Sequence, residues 1–116
     1  MMKFVLHILV SPYSSMAQTA VRFVRAAIQQ QHQITGVFFS SDAVQLAHPL
    51  AESLPEDYPA AHIWTELAAQ NQFPLWLCVT AGVRRGIIEP REGFSIAGLG
   101  QLITATVEGD RLLTFY

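Results

Sequence analysis

A single cysteine, Cys78, is followed at a distance by Arg84 and Arg85, with five residues between the thiol and the first guanidinium. Cysteine reacts as its thiolate, and the free thiol pKa of about 8.5 falls near a cation or a helix N-terminus. Cys78 ends the apolar run Leu75-Trp76-Leu77 and precedes a predicted helical turn over Ala81 to Arg85. The amides of Thr80 to Gly82 and the charge of Arg84 or Arg85 are therefore candidate stabilisers of a thiolate. The same residue, set between Leu77 and Val79, equally fits a small buried hydrophobe. A cysteine and an arginine with five residues between them, after a strand and before a helix, are also the layout of a phosphatase phosphate loop. There a thiolate attacks phosphorus and the arginine clamps the oxygens. Against that layout, Arg85 stands where such loops carry Ser or Thr, and Gly82 falls one position late.

Other residue types offer less. His7, His32, His48 and His62 share no ligand spacing, and no cysteine stands near them, so a metal centre is not expected. His7, inside an apolar run, reads as a hydrogen-bonded core residue. Gly98-Leu99-Gly100 opens a predicted helix and has the backbone freedom to hold an anion, although tight packing accounts for the glycines equally well. Trp64 and Trp76 read as core or interface. Tyr13, beside Ser11, is the aromatic placed after the first strand.

These residues depend on the elements that carry them. Lys3 to Val10 is expected to be a strand buried on both faces, stopped by Ser11-Pro12, and not a signal peptide, because His7 interrupts it and no small-residue cleavage site follows. Over Ala17 to Gln31 the spacing of Ala17, Ala20, Val21, Val24, Ala27 and Ile28 predicts an amphipathic helix, with Phe23 off the stripe and available to a neighbouring subunit. Ile34 to Phe39 predicts a second strand. A short helix runs from a Ser41 or Asp42 cap to Ala47 and is stopped by His48-Pro49. Pro49 to Pro59 reads as a loop, and Ala60 to Asn71 as a helix with Ile63 and Leu67 inward. Pro74 to Val79 predicts a third strand, Ile87-Ile88 a brief strand or loop, Leu99 to Val107 a helix with Leu99, Leu102, Ile103 and Thr106 on its stripe, and Arg111 to Tyr116 a last strand. Alternation of this kind predicts a single α/β domain over residues 1–116, a three-layer sandwich with a mainly parallel central sheet. Ligands of such sheets gather at the carboxyl ends of the strands. That edge carries Ser11 to Ser15, with Ser11 and Tyr13 as a possible site edge, and Cys78 to Gly86.

Composition narrows the function classes. The chain of 116 residues is 51% apolar and only 14% charged, against about 25% charged in ordinary soluble domains. So little charge covers a free surface poorly, and an oligomer is expected. The net charge of −2, with one lysine and six mostly scattered arginines, offers no basic field for nucleic acid. No apolar stretch reaches the roughly 20 residues that span a bilayer. One cysteine forms no internal disulfide, which suits a cytoplasmic protein.

Pro12-Tyr13, Val37-Phe38-Phe39 with Asp42 and Val44, Trp64 with Glu66-Leu67, Leu77-Cys78-Val79, Arg84-Arg85-Gly86, Gly98-Leu99-Gly100 and Asp110-Arg111-Leu112 occur in an order and spacing that resembles the DsrE/TusD family of sulfur-relay proteins. The resemblance runs nearly end to end. It implies a DsrE-like fold and a sulfurtransferase subunit in which Cys78 accepts sulfane sulfur as a persulfide. The sulfur would come from a donor protein and pass to a TusE/DsrC-type acceptor, for tRNA 2-thiouridine formation or for sulfur oxidation. It further implies a homo-oligomer or a hetero-oligomer with related small subunits, and no metal or organic cofactor. Thr80, Arg84 and Arg85 would form the thiolate environment. Three departures stand out: Ala43 stands where the family often has Gly, Thr80-Ala81-Gly82 replaces the usual alanine run, and Ile88 to Phe94 is several residues shorter than in typical members. The competing readings are a thiol-dependent phosphatase or arsenate-reductase-like enzyme using Cys78 and Arg84, and a non-catalytic member that builds an oligomer.

Overall fold

In the computed structural model, which describes residues 1–49 and 59–116, five strands form one sheet in the order β4-β3-β2-β1-β5. They are β1 (Lys3–Ile8), β2 (Gln33–Phe39), β3 (Leu75–Cys78), β4 (Ser95–Ala97) and β5 (Arg111–Phe115). Every pairing is parallel. The helices are α1 (Ser15–Gln29), a 3-10 helix at Ser41–Ala47, α2 (Ala60–Asn71), α3 (Val79–Arg84) and α4 (Leu99–Glu108).

Local chemistry sets the boundaries of these elements. The Ser14 hydroxyl accepts from the Ala17 amide at 3.2 Å and caps α1. α3 ends in a Schellman arrangement. The Gly86 amide donates to the Val83 carbonyl and the Ile87 amide to the Gly82 carbonyl, and Gly86 takes the left-handed φ of 74° that this exit needs. Ile87 is thereby turned into the core and Ile88 into solvent, so the pair forms no strand.

The chain winds in one direction from β1 to β4 and then returns past the whole sheet to add β5 beside β1. Right-handed crossovers therefore put α1, α2 and α3 on one face and α4 on the other. Burial agrees. Leu6, Ile8, Val37, Phe39, Leu75 and Leu77 pack with α1, the 3-10 helix, α2 and Ala81 of α3 in the larger cluster. Val5 and Phe38 pack with Leu102 and Ala105 of α4 in the smaller one. The strands alternate between the two clusters, as strands buried on both faces must.

Several expectations change. β4 was not anticipated, because Ser95-Ile96-Ala97 is too short for a strand signal; pairing with β3 makes it one. In α2 the buried residues are Ala60, Ala61, Trp64 and Ala68, whereas Ile63 and Leu67 are only half-buried. Small residues there let the helix sit close to the sheet, with the Trp64 indole edge-on to Phe39 at 5.5 Å. In α4 only Leu102 and Ala105 are buried, and Leu99 and Ile103 face outward. Phe23 packs within its own chain, edge-on to Phe4 at 5.1 Å and near Phe115. The Pro49–Pro59 loop lies outside the described residues except at its two ends.

Candidate functional site

Cys78 is the last residue of β3 and the N-cap of α3, in extended conformation with φ −60° and ψ 122°. It pairs with Ala97, the last residue of β4, and α4 begins immediately beyond, with Gly98 as its N-cap. Two helices thus start at neighbouring points on the carboxyl edge of the sheet, and Cys78 stands between them. It is half-buried and touches both hydrophobic clusters. The first amides of a helix have no intrahelical acceptor, so this corner offers N–H donors to a negative sulfur. A Cβ built on Gly98 or Gly100 would meet nothing within 4 Å. Tight packing is therefore not the reason for these glycines, and the space beside the start of α4 is open.

The residues singled out as the thiolate environment lie in different places. Thr80 is exposed in the first turn of α3. Arg84 is exposed in its last turn, six residues of helix or about 9 Å along the axis from Cys78. Arg85 is held elsewhere. Its Nη2 and Nε donate to Asp42 Oδ1 at 2.9 and 3.3 Å, and its Nη1 donates to the Ala81 carbonyl at 3.1 Å. This ion pair ties the end of α3 to the 3-10 helix. Ser11 and Tyr13 follow β1, which is separated from β3 by β2, so they share the sheet edge with Cys78 without adjoining it. The Ser11 hydroxyl accepts from the Tyr13 amide at 3.3 Å.

The phosphatase-like layout does not form. Residues 79–84 are helical from the first residue after Cys78, so the segment does not curl into a cradle, and Arg84 stands at the far end of the helix instead of over the thiol.

Sequence reasoning passed over the end of β2. Ser40 follows Phe39, the partner of Leu77, and so lies level with Cys78 on the adjoining strand. Its hydroxyl is 2.9 Å from His7 Nε2. His7 is a hydrogen-bonded, half-buried residue as expected, and burial lowers its pKa from the usual 6.5. Only the strand order could have revealed Ser40 as a neighbour of the thiol.

No group of three His, Cys, Asp or Glu side chains among the described residues is arranged to hold a metal ion, and none of the described helices is long and apolar enough to cross a membrane. A groove of about 300 Å³ between α1 and α2, lined by Arg25, His62, Ile63, Glu66, Leu67 and Gln70, includes no residue of the Cys78 corner.

Comparison with known proteins agrees with the fold. The sequence matches the DsrE/DsrF-like family over residues 2–115. It is 36% identical to the DsrE protein of Allochromatium vinosum, over 98% of each chain. It is 31% identical to the sulfurtransferase TusD of Salmonella typhi, over 85% of this chain and 88% of that one. The crystal structure of the ychN protein from E. coli superposes with a TM-score of 0.82 at 27% identity, covering 99% of this chain and 100% of the other. A three-layer α/β protein with one cysteine at the carboxyl edge of a parallel sheet is the class that fold and corner define. The chain belongs to the DsrE/DsrF-like family.

Proposed function

We propose that this chain is a sulfurtransferase that carries sulfane sulfur as a persulfide on Cys78 and hands it to an acceptor protein. The observation that carries the reading is the position of Cys78: a half-buried thiol where α3 and α4 both begin, in a chain similar to sulfurtransferases of the TusD type. In the first step the Cys78 thiolate attacks the outer sulfur of a donor persulfide. A bond forms from Cys78 Sγ to that sulfur, the donor's S–S bond breaks, and the donor leaves as a thiolate. In the second step the acceptor's thiolate attacks the outer sulfur now on Cys78, and Cys78 departs as the thiolate. Sulfur moves between thiols with no net oxidation, so no cofactor is needed.

Helix-start amides favour the anionic forms in both steps, and the half-buried setting shelters the persulfide from stray thiols. The donor is a persulfide-bearing protein and the acceptor a TusE/DsrC-type protein, in tRNA 2-thiouridine formation or sulfur oxidation. A reducing cytoplasm suits a free cysteine in this role.

Incubation with a cysteine desulfurase and radiolabelled cysteine tests the reading. Label should appear on Cys78, be released by reductant, and be lost in Cys78→Ser. That variant should stay folded, because the swap is nearly isosteric and the site is only half-buried. Labelling of folded Cys78→Ser, or an unlabelled native protein, would sink the proposal and favour a purely structural subunit.

A further inference from the structure

His7 and Ser40 form a polar pair that the transfer steps above do not use. Ser40 is the buried polar residue of the described core, 8% exposed. It occupies the N-cap position of the 3-10 helix yet makes no side-chain cap bond. Its hydroxyl is committed to His7 instead, at 2.9 Å. The Ala43 amide donates to the Ser40 carbonyl at 3.1 Å, so the helix start does not call on the hydroxyl and leaves it to a partner across the sheet.

Strand alternation turns the pair toward the thiol. Leu6 and Ile8 belong to the larger cluster, so His7 between them points to the α4 face, where its ring meets Phe38 edge-on at 5.7 Å. Ser40 prolongs β2 in extended conformation, φ −129° and ψ 170°, with its amide donating to the Ile8 carbonyl at 2.9 Å. It is level with Cys78 on the neighbouring strand, about 4.8 Å away. As a thiol, a weak donor and acceptor, Cys78 makes no hydrogen bond with a described residue.

We propose that Ser40, oriented by His7, donates a hydrogen bond to the Cys78 sulfur once it ionises, so that His7 is a positioning residue acting through Ser40. The order of donation is His7 Nε2–H to Ser40 Oγ, then Ser40 O–H to the sulfur anion; the thiol proton leaves to solvent. His7 is faced by Phe38 and Ser40 from β2, by Thr114, its partner on β5, and by Leu102 and Ala105 of α4 in the Phe38 cluster. None of these is ionisable. Desolvation is the cause of its lowered pKa, and a neutral ring keeps a proton on one nitrogen for donation. The inference rests on Cys78 being the reactive thiol of the relay described above.

The test is the pH dependence of Cys78 alkylation by iodoacetamide in the full-length protein, which needs no sulfur donor. Losing a hydrogen bond to a charged group should raise the alkylation midpoint of Ser40→Ala by about one pH unit, an about ten-fold slower reaction at pH 7. Ser40→Thr, which keeps the hydroxyl, should restore the native midpoint. His7→Phe, which keeps a ring against Phe38, should move it upward by less. A folded Ser40→Ala with an unmoved midpoint and a lowered Tm would overturn the proposal, since a merely structural pair predicts that pattern. If Ser40→Ala does not fold, an unmoved midpoint in His7→Phe overturns it. A midpoint raised by Ser40→Ala, alongside a native protein that takes up no labelled sulfur, would uphold the pair and reject the relay.

Discussion

Arg84 and Arg85 are adjacent in sequence and do different things. Arg85 is the less exposed of the two, and it gives three donor bonds to Asp42 and the Ala81 carbonyl. The carboxylate of Asp42 is well exposed, so solvent screens the ion pair and its worth is at the low end of charged contacts. Arg85→Ala should cost about 1 kcal/mol of stability, mostly through the lost carbonyl bond and the link to the 3-10 helix. It should leave iodoacetamide alkylation of Cys78 unchanged. Arg84, exposed and without a partner among the described residues, should change stability by no more than about 0.5 kcal/mol when replaced by Ala. Denaturant melts and alkylation rates on both variants check this; slowed alkylation in Arg85→Ala would show that its charge reaches the thiol. Cys78 was legible as a candidate because a lone thiol at the end of an apolar strand has few readings. Ser40 was not, because nothing within 30 residues of it in sequence announces His7 or Cys78 as a neighbour.

At the scale of elements, periodicity located α1 and α2 well and turned Ile63 and Leu67 toward the core, against which they pack half-buried, but it passed over the buried alanines of α2 and misjudged which residues of α4 turn inward. The helix stripe is about 100° wide or more, and several phases satisfy the same sequence. What decides the phase is the surface each helix meets. α2 lies over Phe39 and seats Trp64, so alanines form the rest of its inner face. Gly36 shows the same dependence inside the sheet. A Cβ there would fall 2.2 Å from Trp76 Cζ3 and 2.3 Å from Cη2, so the missing side chain on β2 is the space that the indole of β3 occupies. Gly36→Ala must push the ring away and should destabilise the protein by about 1–3 kcal/mol. A denaturant midpoint equal to that of the native protein would contradict this packing. Trp76 and Cys78 are two residues apart on one strand face, so Gly36→Ala should also disturb Trp76 fluorescence.

For the whole molecule, the return of the chain past the sheet leaves α4 to cover one face alone. Its Leu99, Ile103 and Val107, one turn apart, are 59%, 63% and 79% exposed. An apolar ridge of that kind, on a chain with 14% charged residues, predicts an interface between subunits. The expected outcome is a dimer or larger assembly at micromolar concentration in analytical ultracentrifugation. Leu99→Asp with Ile103→Asp should shift it to smaller species while leaving circular dichroism intact, because neither side chain is part of the buried core. A native monomer under those conditions would count against this.

Strand-forming runs, helix spacing and a single thiol were enough to settle the α/β class and the alternation of elements and to single out Cys78 as the candidate, because those properties are local: they depend on side-chain size, polarity and period within a few residues. The order β4-β3-β2-β1-β5, the pairing of Ser95–Ala97 as a strand, the phase of α2 and α4, the engagement of Arg85 with Asp42 and the seat of Ser40 beside Cys78 were decided by the tertiary structure. Each joins residues 19 to 43 positions apart or more, and only the closing of the sheet, with side chains competing for the two faces it creates, brings them within a few ångströms.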